Sequence, residues 1–399
     1  MAAVAPVPLL GSMTSAQPPD SILSDLARVR IKRIVGFKHV GRRPKMVGKN
    51  ARLDLHGDTN TDFVLRIYTD QGEEGFGSGK VEPAIARQLI GRPLSEFWRA
   101  RIGVVSPLGR SDHALYDLIG KVLGIPSGKL FGDAKNTTIP VYDGSIYFND
   151  LLPEFESRGV ARLVEEVEAS LAKGHRAFKI KVGRGHKWMD REAGFRRDVE
   201  VVQAIRKAVG KDVKLMADAN NGFDVETAKK WLDAVGDTLY FAEEMFPENT
   251  TDNLALKAFL KAKGFKTLVA DGESAHDLDD LVNFIDAEAF DVFQPDIRAF
   301  GLTRQSAFAR RLAIKPALKL APHNWGSFLG LYMQLTLARG ISNFLMAEQD
   351  ISTSDLFDTS AFEFREGTIK LPDVPGCGLK IDESVFKEKY LPTAWTVEA

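Results

Sequence analysis

From about residue 137 to residue 350, short apolar runs alternate with longer amphipathic segments. The apolar runs include RAFKIKVG, DVKLMADAN and KTLVADGES. The intervening segments, such as REAGFRRDVEVVQAIRKAVG, place apolar residues three and four apart, as on one face of a helix. Strands that alternate with helices favour a parallel sheet, and about eight such units favour a (β/α) barrel. An open, doubly wound sheet is the main alternative.

The rest of the chain lacks this alternation. Residues 28–135 combine strand patterns such as ARVRIKRIVGFKHV with helical patterns such as SDHALYDLIGKVLGIP, which predicts a small α+β domain. The barrel is assigned to residues 136–350, and residues 351–399 are expected to pack back on the first domain. Residues 1–27 are rich in Ala, Pro and Ser and contain no Lys or Arg. They are interpreted as a flexible leader and not as an intact signal peptide.

Composition excludes several classes of function. With 53 Lys+Arg against 54 Asp+Glu, the net charge is -1, which favours neither nucleic acid nor an anionic membrane as partner. No apolar run approaches the roughly 20 residues that a membrane-spanning helix needs. The single cysteine, Cys377, excludes an internal disulfide framework and fits a reducing compartment. We therefore predict a cytoplasmic protein with a small-molecule substrate, although the N-terminal leader leaves export open.

Polar residues recur where the apolar runs end. They are Asp218 in LMADAN, Glu243 in FAEEMF, Glu273 in VADGES, Asp296 in FQPDI, His323 in APHNWG and Glu348 in LMAEQD. Successive members are separated by 23 to 30 residues, about the length of one strand and one helix with their loops. In a barrel this phase of the repeat is the C-terminal rim, where active sites are built.

Three of these carboxylates, Asp218, Glu243 and Glu273, belong to successive strands and would converge at the rim. Converging carboxylates repel one another, and each buried charge costs several kcal/mol unless it is compensated. A hard divalent cation such as Mg²⁺, or Mn²⁺ in its place, removes this cost because it prefers oxygen ligands. The absence of a Cys/His cluster argues against zinc. Glu244, the neighbour of Glu243, stays open as the second ligand.

In the run FKIKV, Lys179 and Lys181 alternate with large apolar residues. Both amines therefore share one face of a strand, which is ordinary on a protein surface. On a barrel strand they would instead point inward, toward the carboxylates. Two neighbouring ammonium groups depress each other's pKa, and burial acts in the same direction, which predicts a lysine base near neutral pH. Asp296 precedes His323 by one repeat and could accept its ring N–H, which would fix a second base.

In this order and spacing, KIK, DAN, EE, GES, PD, PH and a final E resemble the enolase superfamily. The resemblance is closest to the mandelate racemase/muconate-lactonising branch and covers nearly the whole chain past the leader. It implies a modified TIM-type (β/α)₇β barrel under an α+β capping domain, with one Mg²⁺ bound by Asp218, Glu243 and Glu273. After FAEE this chain reads MFPE where the family usually has Pro, so the loop beyond Glu243 is expected to differ.

The resemblance also implies roles for the remaining candidates. Lys181 would be one acid/base, and Lys179 would tune it and contact the substrate carboxylate. His323, oriented by Asp296, would be the other acid/base. Glu348 would donate a hydrogen bond to the developing enediolate. Asn220 would touch the substrate.

The expected reaction starts with abstraction of the proton α to a carboxylate. We expect dehydration of an acid sugar to a 2-keto-3-deoxy acid, with racemisation or epimerisation of a hydroxy acid as the alternative. A non-catalytic barrel that binds a ligand or serves as a scaffold is a remote third. The basic loop GRRPKMVGKNARLDLHG (residues 41–57) could hang over the site and suit an anionic substrate, or it could be a solvated loop. The resemblance suggests a symmetric homo-oligomer.

Overall fold

The computed structural model describes residues 20–399. The elements of its first part are α1 (Asp20–Arg28), β1 (Ile31–Val47), β2 (Gly57–Thr69), β3 (Glu74–Ser78), α2 (Pro83–Arg87), β4 (Trp98–Arg99), β5 (Gly103–Val104) and α3 (His113–Val122). Strand β2 pairs antiparallel with both β1 and β3. Helix α3 packs closely on β3, and Gly75 makes this possible. A Cβ added at Gly75 would lie only 2.5 Å from the Cβ of Leu118. This part is an α+β capping domain.

Helix α1 begins inside the segment that the sequence analysis assigned to a flexible leader. Its Leu26 is fully buried in the core beside Ile31 and Leu94. Residues 1–19 of that predicted leader lie outside the described residues. Within the described part, residues 20–27 therefore belong to the fold and not to a leader, because an apolar side chain of this segment enters the core.

The second part alternates strands with helices without interruption. Its elements are β6 (Thr138–Ile146), α4 (Val160–Ala172), β7 (Ala177–Lys181), α5 (Arg191–Val209), β8 (Lys214–Asp218), α6 (Val225–Val235), β9 (Phe241–Glu243), α7 (Thr250–Lys263), β10 (Leu268–Asp271), α8 (Val282–Ala287), β11 (Val292–Phe293), α9 (Ile297–Leu312), β12 (Lys319–Leu320), α10 (Phe328–Gly340) and β13 (Ala347–Gln349).

These strands close into a barrel. Strands β6 to β12 pair in parallel in chain order, and β13 returns to pair in parallel with β6. A parallel bridge between Leu320 and Phe344 completes the ring on the other side of β13. Eight strands with seven connecting α-helices between residues 138 and 349 confirm the (β/α)₇β barrel, and closure rules out the open sheet.

The C-terminal segment contacts both other parts. Its elements are β14 (Phe357–Asp358), β15 (Glu363–Arg365), β16 (Thr368–Lys370), β17 (Lys380–Ile381), α11 (Glu383–Val385) and β18 (Trp395–Glu398). Strand β18 adds antiparallel to β1 of the capping domain, while β16 pairs antiparallel with β6 of the barrel. The tail therefore joins the capping domain, as expected, and also the base of the barrel.

Carboxylates of the capping domain bind the N-terminal ends of barrel helices. Asp62 accepts hydrogen bonds from Ser327 Oγ and from the backbone N–H of Phe328 and Leu329 at the start of α10. Asp112 does the same at Leu302 and Thr303, where α9 is kinked. Such caps satisfy N–H groups that have no partner inside a helix. In residues 20–399, no helix is both long and apolar enough to cross a bilayer.

Candidate active site

The barrel interior has an apolar floor to which each strand contributes one side chain. The floor consists of Tyr142, Ala177, Met216, Phe241, Ala270, Val292, Ala321 and Met346. Side chains two residues further along a strand point the same way, so they form the next layer toward the C-terminal rim. That layer consists of Lys179, Asp218, Glu243, Gln294, His323 and Glu348. On β10 the polar residue comes one position later, at Glu273, after Gly272 with its φ of +115°.

The predicted trio Asp218, Glu243 and Glu273 converges on one point. Each offers a carboxylate oxygen, and these oxygens lie within 4.8 Å of one another. Burial raises the pKa of Glu243 to about 7, and burial together with the charges of Glu244 and Asp218 raises that of Glu273 well above its usual value. Glu273 Oε2 is buried without a hydrogen-bond partner. A divalent cation fits this arrangement, because it would relieve the repulsion and bind the unpartnered oxygen.

Glu244, the alternative to Glu243 as the second metal ligand, has a different environment. Its carboxylate accepts hydrogen bonds from Asn220 Nδ2, Asn221 Nδ2 and Ser274 Oγ at 3.2, 3.3 and 2.6 Å. Its backbone has a φ of +41°, which turns the chain at the end of β9. The structure thus brings Glu243 into the trio, while Glu244 is held beside it by Asn220, the predicted substrate contact.

Strand β7 points both lysines into this anionic layer, while Phe178, Ile180 and Val182 lie in the core under the helices. Lys179 Nζ lies 2.7 Å from Glu243 Oε1, 2.8 Å from Glu348 Oε1 and 3.4 Å from Asp218 Oδ2. Lys181 Nζ donates to Asp218 Oδ2. The two lysines therefore alternate with large apolar residues because they face the buried carboxylates, while the apolar side chains face the helices.

The predicted depression of the lysine pKa is contradicted. Burial would lower the pKa of both amines, but Glu243 and Glu348 raise that of Lys179, and Asp218 raises that of Lys181. The expectation considered burial and the mutual repulsion of the two amines. It left out the carboxylates, whose attraction at this distance is larger.

His323 and Asp296 lie on the opposite side of the trio. Asp296 accepts the Nδ1–H of His323 at 2.9 Å and the N–H groups of Arg298 and Ala299 at the start of α9, so its carboxylate is fixed. The other ring nitrogen, Nε2, lies 3.3 Å from Glu273 Oε2. Burial alone would lower the pKa of His323, but the hydrogen bond to Asp296 and the charge of Glu348 raise it.

Glu348 faces the same space from β13. Its Oε1 is bound by Lys179, and its Oε2 accepts the backbone N–H of Asn324 at 2.8 Å. Gly144 on the neighbouring strand leaves room for it, since a Cβ there would lie 2.6 Å from Oε1. The predicted catalytic and metal-binding side chains therefore meet at one end of the barrel.

Sequence reasoning missed Gln294 and Tyr147. Gln294 Nε2 donates to Glu243 Oε2 at 2.7 Å and so orients a member of the trio. Its signal was a polar residue among the apolar ones of FDVFQPDI, two positions before Asp296. Tyr147 directly follows β6, and its ring centroid lies 5.0 Å from Lys181 Nζ.

The basic loop lies at the rim, and three of its cations are bound to protein groups. Ala51 packs against Gly183 and Gly222, next to the ends of β7 and β8. A Cβ added at either glycine would lie about 3 Å from the Cβ of Ala51. Arg43 binds Asp350, and Lys45 binds Glu166 and the carbonyl of Ser145. Lys49 lies over the ring of Trp188.

Neither Arg43 nor Lys45 is thus free to attract an anionic substrate. The suggestion that the basic loop suits an anion is not supported by these two residues. They serve instead to fasten the loop to the barrel.

A closed barrel with a carboxylate trio between a lysine and a histidine–aspartate pair defines a class of enzymes. These enzymes move a proton on the carbon next to a carboxylate, as lyases or as racemases and epimerases.

The family model described as Enolase C-terminal domain-like matches residues 162–385, more than half of the chain. The chain belongs to this family, and its relatives are members of the mandelate racemase/enolase superfamily.

Among solved structures, the chain is similar to a mutant of galacturonate dehydratase from Geobacillus sp. complexed with Mg. The two are 31% identical with a TM-score of 0.88, over 94% of this chain and 98% of that one. Among curated proteins, D-galactarolactone cycloisomerase from Agrobacterium fabrum is 25% identical, over 84% of this chain and 93% of that protein. Arabinonate dehydratase from Saccharolobus solfataricus is 28% identical, over 73% of this chain and 74% of that protein.

Proposed function

We propose that this protein dehydrates an acid sugar to its 2-keto-3-deoxy acid. The observation that carries the proposal is the placement of Lys181 and His323 at opposite ends of the carboxylate trio. Lys181 contacts Asp218, and His323 lies 3.3 Å from Glu273. A substrate carboxylate held at the trio would have its α-carbon between a base and an acid.

Asp218, Glu243 and Glu273 would hold the cation. When bound, Mg²⁺ would supply the positive charge that stabilises an enediolate, and it would offset the charge of Asp218, which raises the pKa of Lys181. Gln294 keeps Glu243 in place by donating to its second oxygen. Lys179, which lies between Glu243 and Glu348, adds positive charge beside the substrate carboxylate.

The proton transfers are assigned to the two groups on either side. Lys181 would remove the α-proton in its neutral form, which it reaches when the charge of Asp218 is offset, and the electron pair of the broken C–H bond forms the enediolate. Burial lowers the pKa of His323, but the hydrogen bond to Asp296 and the charge of Glu348 raise it above its usual value, which favours the protonated ring. His323 gives this proton to the β-hydroxyl as the C–O bond breaks, so water leaves. The enol that results takes up a proton at the β-carbon and becomes the 2-keto acid. Glu348, which accepts hydrogen bonds from Lys179 and from the backbone N–H of Asn324, faces the enediolate from β13 and holds Lys179 beside it.

The relatives support dehydration. The galacturonate dehydratase from Geobacillus sp. has also been solved with D-galacturonate and 5-keto-4-deoxy-D-galacturonate, at 31% identity to this chain. These two compounds differ by loss of water next to the carboxylate, which is the reaction proposed here. Arabinonate, xylonate and gluconate/galactonate dehydratases are among the curated relatives.

Racemisation or epimerisation is the second candidate. A base on each face of the α-carbon could return the proton on the side opposite to its removal. An epimerase for L-Ala-D/L-Glu from Clostridium acetobutylicum is 31% identical over 44% of this chain. The two reactions share the first step and differ in whether the β-hydroxyl leaves.

The test is incubation with Mg²⁺ in D₂O and a panel that contains D-galacturonate, D-galactonate, D-gluconate, D-xylonate and D-arabinonate. We expect a 2-keto product from at least one acid. Lys181→Met and His323→Asn should each lower kcat/KM by roughly 10² or more, as expected for loss of a general acid or base. Lys173→Met and His186→Asn, at exposed positions, are the matched controls.

Deuterium at the α-carbon with an epimer and no keto product would establish the second candidate instead. If no acid gives product or exchange although the protein binds Mg²⁺, the proposal is wrong.

A further inference from the structure

Three aromatic rings stand beside the site between its two acid/base groups. Tyr147 and Trp325 are stacked, with ring centroids 4.7 Å apart and an angle of 27° between the rings. The ring of His56 lies 4.6 Å from Tyr147 and 6.1 Å from Trp325. Tyr147 lies next to Lys181, and Trp325 follows His323 by two residues. We call His56, Tyr147 and Trp325 the aromatic wall.

His56 gives this wall a ring nitrogen that can accept a hydrogen bond from a ligand. Its Nδ1 lies 2.8 Å from the carbonyl oxygen of Gly48, and a carbonyl can only accept, so Nδ1 carries the hydrogen. Nε2 then carries a lone pair. Nε2 makes no hydrogen bond to any residue in the described range 20–399. It is also not fully buried.

The ring stays neutral near pH 7, which keeps Nε2 an acceptor. Burial lowers the pKa of His56, and the charges of Lys181 and Arg43 lower it further. A neutral acceptor beside an ammonium group suits a neutral hydrogen-bond donor such as a hydroxyl group.

Arg43 holds the wall in place from behind. Its guanidinium lies over the ring of Trp325, 4.6 Å from the centroid. It binds Asp350 at 2.8 Å and donates to the carbonyls of His56, Gly57 and Thr59. Both Arg43 and Asp350 are buried, so the segment that presents His56 is fixed relative to Trp325. The wall is thus a preformed surface built by the capping domain and the barrel together.

We propose that the aromatic wall selects the substrate by the part of its carbon chain beyond the two reacting carbons. The C–H groups of that part pack against the rings, and one of its hydroxyl groups donates a hydrogen bond to His56 Nε2. Pockets of this kind, apolar with one placed polar group, fix both the extent and the orientation of a ligand. This inference rests on the proposed function, since it concerns the distal part of an acid sugar.

The test compares binding of two acids in the presence of Mg²⁺, measured by tryptophan fluorescence or calorimetry. One is the acid of the panel that the wild-type protein converts fastest, or D-galacturonate if none is converted. The other is D-glycerate, which has the α-proton and β-hydroxyl but no carbon beyond them. We expect His56→Phe to weaken the sugar acid roughly five- to tenfold, the loss of about one hydrogen bond, and to leave D-glycerate unchanged.

His56→Gln, which can present an amide oxygen near the position of Nε2, should recover part of the lost affinity. His276→Phe, at an exposed position, is the control and should change neither affinity.

Equal weakening of both acids by His56→Phe would overturn the proposal, because it would show a structural role. Tighter binding of mandelate than of every sugar acid would also overturn it, because the wall would then serve an aromatic acid. Absence of product and exchange with the wild-type protein is a separate outcome, and it contradicts the proposed function rather than the wall.

Discussion

At the scale of single residues, the side chains of the site are defined by the groups that oppose their charge. Lys179 is fully buried with three carboxylates around it, and Asp218 is buried with two ammonium groups. A charge buried without such a partner costs several kcal/mol. Substitution of one of these charged residues therefore removes its own ion pair and also changes the pKa of the neighbouring charged residues.

Glu243 and Glu244 allow a matched test of the metal site. Glu243→Gln removes a charged oxygen from the trio, and we expect Mg²⁺ affinity to fall at least tenfold because hard cations depend on carboxylate charge. Glu244→Gln should change the affinity much less, since Asn220, Asn221 and Ser274 already bind that carboxylate. Calorimetric titration with Mg²⁺ and Mn²⁺ measures both. A larger loss in Glu244→Gln would reverse the assignment.

The residue types at the strand ends could be predicted, but their charge balance could not. Alternation along FKIKV shows that Lys179 and Lys181 share a face, because that depends only on strand geometry. Their raised pKa depends on the carboxylates of neighbouring strands, whose distances the sequence does not contain. For the same reason Arg43 and Lys45 could be placed in a loop over the site, but their partners Asp350 and Glu166 could not be predicted.

At the scale of elements, six of the eight barrel strands carry an apolar residue followed two positions later by a polar one, and β6 and β10 have Gly144 and Gly272 at that place. Met216 precedes Asp218, and Ala321 precedes His323. This spacing builds the floor and the reactive layer from the same strands, and it explains why the repeat of strand-end residues was readable from the sequence. After β10 the polar residue, Glu273, comes three positions after Ala270 instead of two. Gly272, with its positive φ, turns the chain there, and this shift is visible only in the structure.

Helix α10 begins directly after the loop that carries His323 and Trp325, and Asp62 caps it. Asp62→Ala removes three hydrogen bonds, from Ser327, Phe328 and Leu329. We expect a loss of about 2 kcal/mol in the free energy of unfolding, the upper end for a lost helix cap. We also expect a lower kcat/KM, because the loop before the helix loosens. Denaturant unfolding measures the first effect.

Asp58→Ala, at an exposed position of the same strand, should leave unfolding unchanged. If Asp62→Ala is as stable as this control, the cap does not contribute to stability and the domains are held together elsewhere.

At the scale of the whole molecule, the end of the chain completes the domain formed by its beginning. Strand β18 pairs with β1, Val397 is buried, and Trp395 covers Gly36, where a Cβ would lie 2.2 Å from the indole ring. The order of the barrel elements was predictable because each unit repeats a local pattern. The pairing of residue 397 with residue 34 was expected only in outline, since no local pattern specifies the partner of an edge strand.

Deletion of residues 395–399 tests this closure. We expect the free energy of unfolding to fall by about 2 kcal/mol or more, as for the exposure of a buried valine and part of a tryptophan. Deletion of Ala399 alone should have little effect. Mg²⁺ affinity at the trio should persist in the folded protein, because β18 lies on the capping sheet and not on the barrel. Unchanged stability after the longer deletion would contradict the role of β18.

The homo-oligomer stays a prediction, and light scattering at several protein concentrations can measure the oligomeric state.

The link between Arg43 and Asp350 has a consequence for how substrates enter. Asp350 lies two residues beyond Glu348, so lifting the whole capping domain would separate a buried ion pair and pull on the strand that carries Glu348. Separation of such a pair is strongly unfavourable. The segment from residue 48 to residue 55 is held differently, by hydrogen bonds to the carbonyls of Lys49 and Asn50 from the N–H of Phe148 and from Trp188 Nε1. We therefore expect the two domains to move as one body, and entry to the barrel mouth to require that these hydrogen bonds open while the ion pair stays closed.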